Sequence, residues 1–168
     1  MTISVYDQVI APLKRGLESF DRIVSKAEAF AEARNISPEV LIHGRLRPDM
    51  LSFVSQVRIA TDTAKGAAGR LAGVELPKWD DNEATFQDVH ARLAKAIDYL
   101  SSFEPAQFEG VESKTIELKF GPMELTFSGT EYITGFVLPN FYFHYTTAYN
   151  ILRYNGLDIG KRDFLGAA

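Results

Sequence analysis

Residues 138–156, "LPNFYFHYTTAYNILRYNG", predict the fold more strongly than any other stretch of the chain. Apolar and aromatic residues cover most of the circumference of this segment when it is drawn as a helix, and such a helix must be buried among others. Pro139 suits a first helical turn, and Gly156 suits the position just after a last one. The segment therefore predicts a central helix running from about Pro139 to Asn155.

Three earlier segments repeat apolar residues at the three- and four-residue steps of an amphipathic helix. The first covers residues 10–30. The second is predicted to begin at Pro48, with Asp49 near the positive end of its dipole, and to stop at Gly73. The third begins after Thr85, which has the spacing of a capping pair with Asp88. With the segment above, the chain has four predicted helices.

A different pattern separates the third and fourth predicted helices. In "KTIELKFGPMELTF" (residues 114–127), apolar and polar residues alternate as in a β-hairpin. A type II′ turn at Gly121-Pro122 places Lys119 opposite Glu124. It also places six apolar side chains on one face: Ile116, Leu118, Phe120, Met123, Leu125 and Phe127. We therefore predict an all-α fold in a single domain over residues 1–168, an up-down four-helix bundle with a long crossover that carries this small hairpin.

The composition indicates a globular chain without an affinity for nucleic acid. Hydrophobic residues make up 46% and charged residues 24% of the sequence, and the net charge of −4 provides no basic surface. The absence of cysteine excludes disulfides, thiolate metal sites and a cysteine nucleophile. Residues 1–22 do not resemble a signal peptide, and no apolar run approaches the roughly 20 residues of a membrane span. We expect a cytoplasmic protein with neither nucleic-acid nor membrane partners.

The three histidines, His43, His90 and His144, do not have the spacing of a metal site. The compact signal would be two histidines four residues apart on one helix face, but Ala148 stands four residues after His144. His43 lies at a predicted loop end, and His90 lies at the edge of the third helix. We therefore predict no metal ligands and no other cofactor.

His144 lies on the predicted inward stripe of the fourth helix and has two interpretations. It is either a neutral core imidazole that bonds to a tyrosine or a backbone carbonyl, or a lone base or ligand-anchoring group in a pocket. Buried phenols need partners, so a polar network is expected around His144 from the tyrosines of this helix. They are Tyr142, Tyr145, Tyr149 and Tyr154.

The remaining candidate residues follow from charge and position. Arg153 either favours the negative end of the fourth helix or pairs with Asp49 or Asp62, and Arg45 could pair locally with Asp49. The catalytic candidates are His144, Tyr149 and Arg153. The ligand-binding candidates are Asp49, Gln56 and Tyr145.

Two motifs together resemble a known family. "RLRPDMLSFVSQV" (residues 45–57) and "PNFYFHYTTAYNILRYNGLDIGKRDFLG" (residues 139–166) are similar to a bacterial family known only as a domain of unknown function, a branch of the DinB/YfiT-like metalloenzyme superfamily. The resemblance spans nearly the whole chain. It implies a four-helix bundle with a long crossover, often assembled as a homodimer.

The resemblance also implies where a metal would be held. Better-known members use one histidine from the second helix and two histidines four apart on the fourth, and some are thiol-dependent transferases. The first histidine of the pair falls on His144 and the second on Ala148, no histidine lies in residues 50–56, and Tyr154 stands where this branch has a histidine. The ligand set is therefore incomplete.

Three hypotheses of function result. The first is a metal-free member that binds a small ligand or acts as a homodimeric scaffold. The second is a transferase or hydrolase-type enzyme, dependent on a metal, thiol or other external cofactor, that uses His144 with Tyr145, Tyr149 or Arg153. The third is a structural protein that binds a partner through the outer edge of the hairpin.

Overall fold

The computed structural model of the protein describes residues 4–166. Its helices and strands are, in chain order, α1 (Ala11–Ala33), α2 (Pro38–Ile42), α3 (Phe53–Ala72), α4 (Phe86–Ser101), β1 (Thr115–Phe120), β2 (Met123–Ser128), α5 (Gly129–Glu131), α6 (Leu138–Tyr154) and α7 (Lys161–Leu165). Single π-helical turns, Tyr6–Ile10 and Tyr132–Val137, lead into α1 and α6. Two 3-10 turns, Pro105–Phe108 and Val111–Ser113, connect α4 to β1.

The four long helices α1, α3, α4 and α6 form the predicted bundle. The order of packing differs from a simple up-down bundle, because α1 packs mainly against α4, and α3 lies between α4 and α6. Ala60, Ala64 and Ala67 are fully buried on α3, and such small side chains allow close packing of neighbouring helices. The first two long helices, α1 and α3, are therefore not each other's main neighbours, and the crossover between α4 and α6 carries the hairpin.

The ends of α3 agree only partly with the sequence prediction. Gly73 ends the helix in the left-handed conformation, with φ of +75°, as predicted. The predicted start at Pro48 is wrong, because α3 begins at Phe53, whose N–H donates to the carbonyl of Gly44 at 2.8 Å. Pro48 and Asp49 lie in a turn closed by the side chain of Arg45, which donates to the carbonyl of Met50. The predicted Arg45–Asp49 pair does not form.

The hairpin has the predicted register. Lys119 lies opposite Glu124, and their side chains form an ion pair at 2.8 Å. Gly121 has φ of +58°, as the first residue of a type II′ turn requires. Ile116 and Leu118 are buried, but Met123 near the tip is 57% exposed, so the apolar face is covered only near the bundle. The prediction for the Phe120 side chain lies outside the described part of the structure.

The loop between α3 and α4 is fastened by Arg92. This side chain is 2% exposed, and it donates to the carbonyl of Asp80 at 3.0 Å and to Glu83 at 2.9 Å. The ring of Trp79, in the same loop, lies within 4.3 to 5.2 Å of three cationic groups. They belong to Lys65, Arg92 and Lys95. The loop is therefore attached to the bundle by charge and cation–π contacts as well as by apolar packing.

The C-terminal segment packs back on the bundle, as its apolar residues predict. Ile159 is buried, and the ring of Phe164 stacks on that of Tyr145 with 4.2 Å between the ring centres. Across residues 4–166, no helix has both the length and the apolar character that a membrane crossing requires.

Candidate functional site

The packing of α6 on α3 brings His144 against Gln56. Nδ1 of His144 lies 2.6 Å from Oε1 of Gln56, and Gln56 is 1% exposed. The other end of the amide, Nε2, donates to the carbonyl of Leu51 at 3.1 Å, just before α3 begins. Two of the sequence-predicted site residues are thus in direct contact.

These contacts determine the tautomer of the imidazole. Nε2 of Gln56 is a donor and bonds to a carbonyl, so Oε1 is the atom that faces the histidine. An oxygen without a proton can only accept, so Nδ1 of His144 carries the proton and donates it. In the neutral ring the lone pair then lies on Nε2. Within residues 4–166, no hydrogen bond or ion pair engages Nε2.

The position of His144 favours the neutral ring. The side chain is half-buried, and burial lowers its pKa below the usual 6.5. Phe143 packs against it edge to face, with 5.1 Å between the ring centres. Phe143 is 58% exposed, so the imidazole lies at the edge of the core beside an accessible aromatic ring. The predicted hydrogen-bond partner of the core imidazole, a tyrosine or a backbone carbonyl, is wrong, since Nδ1 of His144 contacts the Gln56 amide.

The residues one turn to either side of His144 complete the α3–α6 contact. Asn140 donates through Nδ2 to the hydroxyl of Thr63 at 2.7 Å. Ala148 is fully buried and contributes only a methyl group. The α3–α6 seam thus contains two polar side-chain bonds, His144 to Gln56 and Asn140 to Thr63. Asn140 and Thr63 are not among the sequence candidates, although Asn140, four residues before His144, lies on the same face of α6.

The donor set around His144 does not fit a divalent metal of the kind that the superfamily holds. Nδ1 of His144 is engaged by an amide, and the position four residues later is a buried methyl group. The residues of the described chain, 4–166, include no group of three or more histidine or carboxylate side chains placed to hold an ion. His43 is exposed at the end of α2, and His90 contacts Asp21 on α1 at 2.5 Å.

The tyrosines of α6 do not form the network predicted around His144. The hydroxyl of Tyr145 donates to the carbonyl of Phe164 at 3.0 Å, and that of Tyr149 donates to the carbonyl of Ile159 at 3.2 Å. Tyr154 is 74% exposed. These side chains attach the C-terminal segment to α6, and burial raises the pKa of Tyr145.

The charged candidates also have other partners. Arg153 donates to the carbonyl of Leu157 at 3.0 Å and lies 3.4 Å from Asp158, so the predicted pairs with Asp49 and Asp62 are wrong. Asp49 is exposed, and its partner is Arg47 at 3.8 Å. Arg153 and Tyr149 lie on the side of α6 away from His144. Of the candidate residues, only His144 and Gln56 are brought together.

Comparison with known proteins agrees with this architecture. The family model described as "Domain of unknown function (DUF1993)" matches residues 5–165. The chain belongs to the DUF1993 family. A crystal structure of a DinB family member protein from Shewanella denitrificans is 38% identical, with a TM-score of 0.88 over 98% of this chain and 93% of that one. A search among curated proteins found no match. This DUF1993 protein therefore has a DinB-like fold.

Proposed function

We propose that this DUF1993 protein binds a small organic ligand, without a metal, at the pair formed by His144 and Gln56. The observation that supports the proposal is the lone pair on Nε2 of His144, which Gln56 keeps available by holding the proton on Nδ1. A ligand hydroxyl or N–H group can donate to Nε2.

The side chains around His144 indicate what the ligand contains besides a donor group. The exposed ring of Phe143, which packs against His144, provides an apolar surface for a hydrocarbon or aromatic body. Gln56 is 1% exposed, so its second N–H and its second oxygen lone pair are shielded from a ligand, and the group that this pair offers is the acceptor Nε2 of His144. The expected ligand is therefore a neutral molecule with one donor group and an apolar body, such as a phenol.

The proposal predicts that phenol-like fragments bind at Nε2. In long-range proton–nitrogen NMR spectra, Nε2 of His144 should appear unprotonated and should shift on addition of the fragment. The affinity should fall as the pH drops through the lowered pKa of His144, because protonation converts the acceptor Nε2 into a donor. We expect His144→Ala to weaken binding at least about fivefold, the loss of roughly one hydrogen bond.

His43→Ala provides the matched control, since His43 is exposed and lies on α2. It should leave both the fragment affinity and its pH dependence unchanged. Elemental analysis of the freshly purified protein tests whether the site is free of metal. Stoichiometric zinc, nickel or iron that disappears in His144→Ala would refute a metal-free site, and unchanged fragment binding in His144→Ala would refute this location.

The same lone pair supports a second candidate function, that of an enzyme with His144 as general base. A neutral, half-buried imidazole with a free Nε2 can accept a proton from a bound substrate. Tyr149 and Arg153 do not assist it, because their polar groups bond to the C-terminal segment. Turnover that is lost in His144→Ala while substrate still binds would favour the enzyme over the binding protein.

We also propose that the protein forms a homodimer through the outward face of α6. Phe143 and Tyr154 are 58% and 74% exposed, and the three helical turns between them place both on the same side of the helix. Large apolar side chains arranged in this way are typical of protein–protein contacts. The ligand site lies beside this face, since Phe143 also contacts His144.

The dimer predicts a change of molar mass in Phe143→Glu. Light scattering should give twice the 18.7 kDa of one chain for the wild type, and 18.7 kDa for the variant, because a carboxylate would be buried without a partner. Met123→Glu is the control, as Met123 is equally exposed at the hairpin. A monomeric wild type would contradict the proposal, and dissociation by Met123→Glu alone would favour the hairpin as the interface.

A further inference from the structure

We propose a second ligand site, for a monocyclic aromatic carboxylate, in the cleft where α1, α6 and α7 meet. The cleft is lined by residues of all three helices and has a volume of about 190 Å³. An engineered protein cavity of about 150 Å³ binds benzene, so this volume holds one ring with one small substituent. The volume of the cleft therefore restricts the ligand to about the size of one substituted ring.

The walls of the cleft are aromatic. Tyr145 and Phe164 stack on each other with an interplanar angle of 13°, and both line the cavity together with Tyr142. Tyr145 is 1% exposed and Tyr142 is 37% exposed, so the first lies at the floor and the second near the mouth. Such surfaces favour a flat ring, which can pack face to face or edge to face against them.

The charge at the mouth is positive. Arg15 lines the cleft and is exposed, and across residues 4–166 its guanidinium forms no hydrogen bond and no ion pair. One turn along α1, the buried hydroxyl of Ser19 accepts a hydrogen bond from Arg22 at 3.0 Å, which holds a second guanidinium nearby. The carboxylate of Asp163 also acts on Tyr145 in the cleft, but it is paired with Lys26 at 2.5 Å, so the two arginines leave the mouth positive.

A free guanidinium beside an aromatic cleft determines the ligand class. Arginine binds a carboxylate through two parallel N–H···O bonds, and this planar arrangement extends in the plane of a benzoate ring. The phenol of Tyr145 already donates to a carbonyl, and the hydroxyl of Ser19 donates to the carbonyl of Arg15. The hydroxyl groups at the floor of the cleft therefore already have hydrogen-bond acceptors, and an apolar ring can pack against them.

This cleft is distinct from the site at His144. Tyr142 and His144 are two positions apart on α6, a rotation of about 200°, so they lie on nearly opposite sides of the helix. Gln56 lies on α3, which contributes no residue to the cleft. A ligand of either site can therefore be tested without the other.

Binding of benzoate and of its neutral analogue benzamide tests the proposal. Saturable benzoate binding should shift the NMR signals of Gly16 and Tyr142, which line the cleft. We expect Arg15→Gln to weaken benzoate about tenfold, because it removes a charge-assisted bond, and to leave benzamide unchanged. In the wild type, benzamide should bind more weakly than benzoate.

Arg47→Gln is the matched control, because Arg47 is exposed and lies outside the cleft. It should bind benzoate like the wild type. The proposal would be overturned by no saturable binding by the wild type, by equal benzoate affinity in Arg15→Gln, or by an equal loss in Arg47→Gln. Shifts at His144 instead of Gly16 would place benzoate at the first site and would equally refute this one.

Discussion

Arg92→Ala is expected to lower the free energy of unfolding by about 3–5 kcal/mol, the usual cost of breaking a buried charge network from one side. The guanidinium of Arg92 donates to the hydroxyl of Thr61 at 3.0 Å, to the carbonyl of Asp80 and to the carboxylate of Glu83. Its remaining nitrogen, Nη2, lies 3.1 Å from Asp62 in ion-pair contact. Alanine removes all of these interactions together.

The carboxylate of Glu83 is the group that makes the loss large. It is 6% exposed and is shared by Arg92 and Arg58, whose Nε donates to it at 2.5 Å. Without Arg92, the Glu83 carboxylate loses one of its two cationic partners but stays buried. Urea denaturation followed by circular dichroism measures the change, and Arg47→Ala is the control. Arg47 and its partner Asp49 are 76% and 83% exposed, so we expect a change within about 0.5 kcal/mol. A loss below about 1 kcal/mol in Arg92→Ala would contradict the role assigned to the network.

The network also makes stability depend on pH in a defined direction. Burial alone would raise the pKa of Glu83, but the hydrogen bond from Arg58 and the charges of Arg92 and Arg58 outweigh it and hold the pKa below its usual 4.5. The folded state therefore binds this proton less readily than the unfolded chain. The stabilisation is complete above about pH 4.5 and is lost as the pH falls through the lowered pKa.

Gly129→Ala is expected to cost roughly 3 kcal/mol or more, because the added methyl group has no space. A Cβ at Gly129 would lie 1.8 Å from the backbone carbonyl oxygen of Val111 and 2.8 Å from its carbon. Neither atom belongs to a side chain that can rotate away. To make space, the chain would have to separate α5 from the 3-10 turn Val111–Ser113. These two segments flank the hairpin and connect it to the bundle.

Gly135→Ala is the matched control in the same crossover. No atom lies within 4 Å of a Cβ at Gly135, and its φ is not in the left-handed region, so alanine should be tolerated. Thermal unfolding of both variants measures the difference. Equal melting temperatures for Gly129→Ala and Gly135→Ala would show that the contact with Val111 does not constrain the crossover.

Much of the fold could be predicted because it depends on local patterns. Apolar residues at helical spacing indicated the four long helices, and strict alternation around Gly121-Pro122 indicated the hairpin and its register. The start of α3 could not be predicted in this way. Pro48 is compatible with a first helical turn, but the bond from Phe53 to Gly44 connects segments whose approach depends on the tertiary fold.

The site was predicted less completely, for the same physical reason. The position of His144 on α6 follows from the periodicity of that helix. Its contact with Gln56 depends on how far α3 and α6 are shifted relative to each other along their axes. Tyr145 and Tyr149 misled because their rings pack with the core as expected while their hydroxyls bond to Phe164 and Ile159, residues of the C-terminal segment. Charge patterns likewise did not indicate the burial of Arg92, since its partners lie in a loop.

The position of Trp79 has a practical consequence for spectroscopy. It is the only indole in the chain, and it lies among Lys65, Arg92 and Lys95 in the loop between α3 and α4. Intrinsic tryptophan emission is therefore a local probe of that loop. It should respond when the loop detaches, even if the bundle stays intact. Measurements of ligand binding at the proposed His144 and Arg15 sites need a different reporter, such as a fluorinated tyrosine on α6.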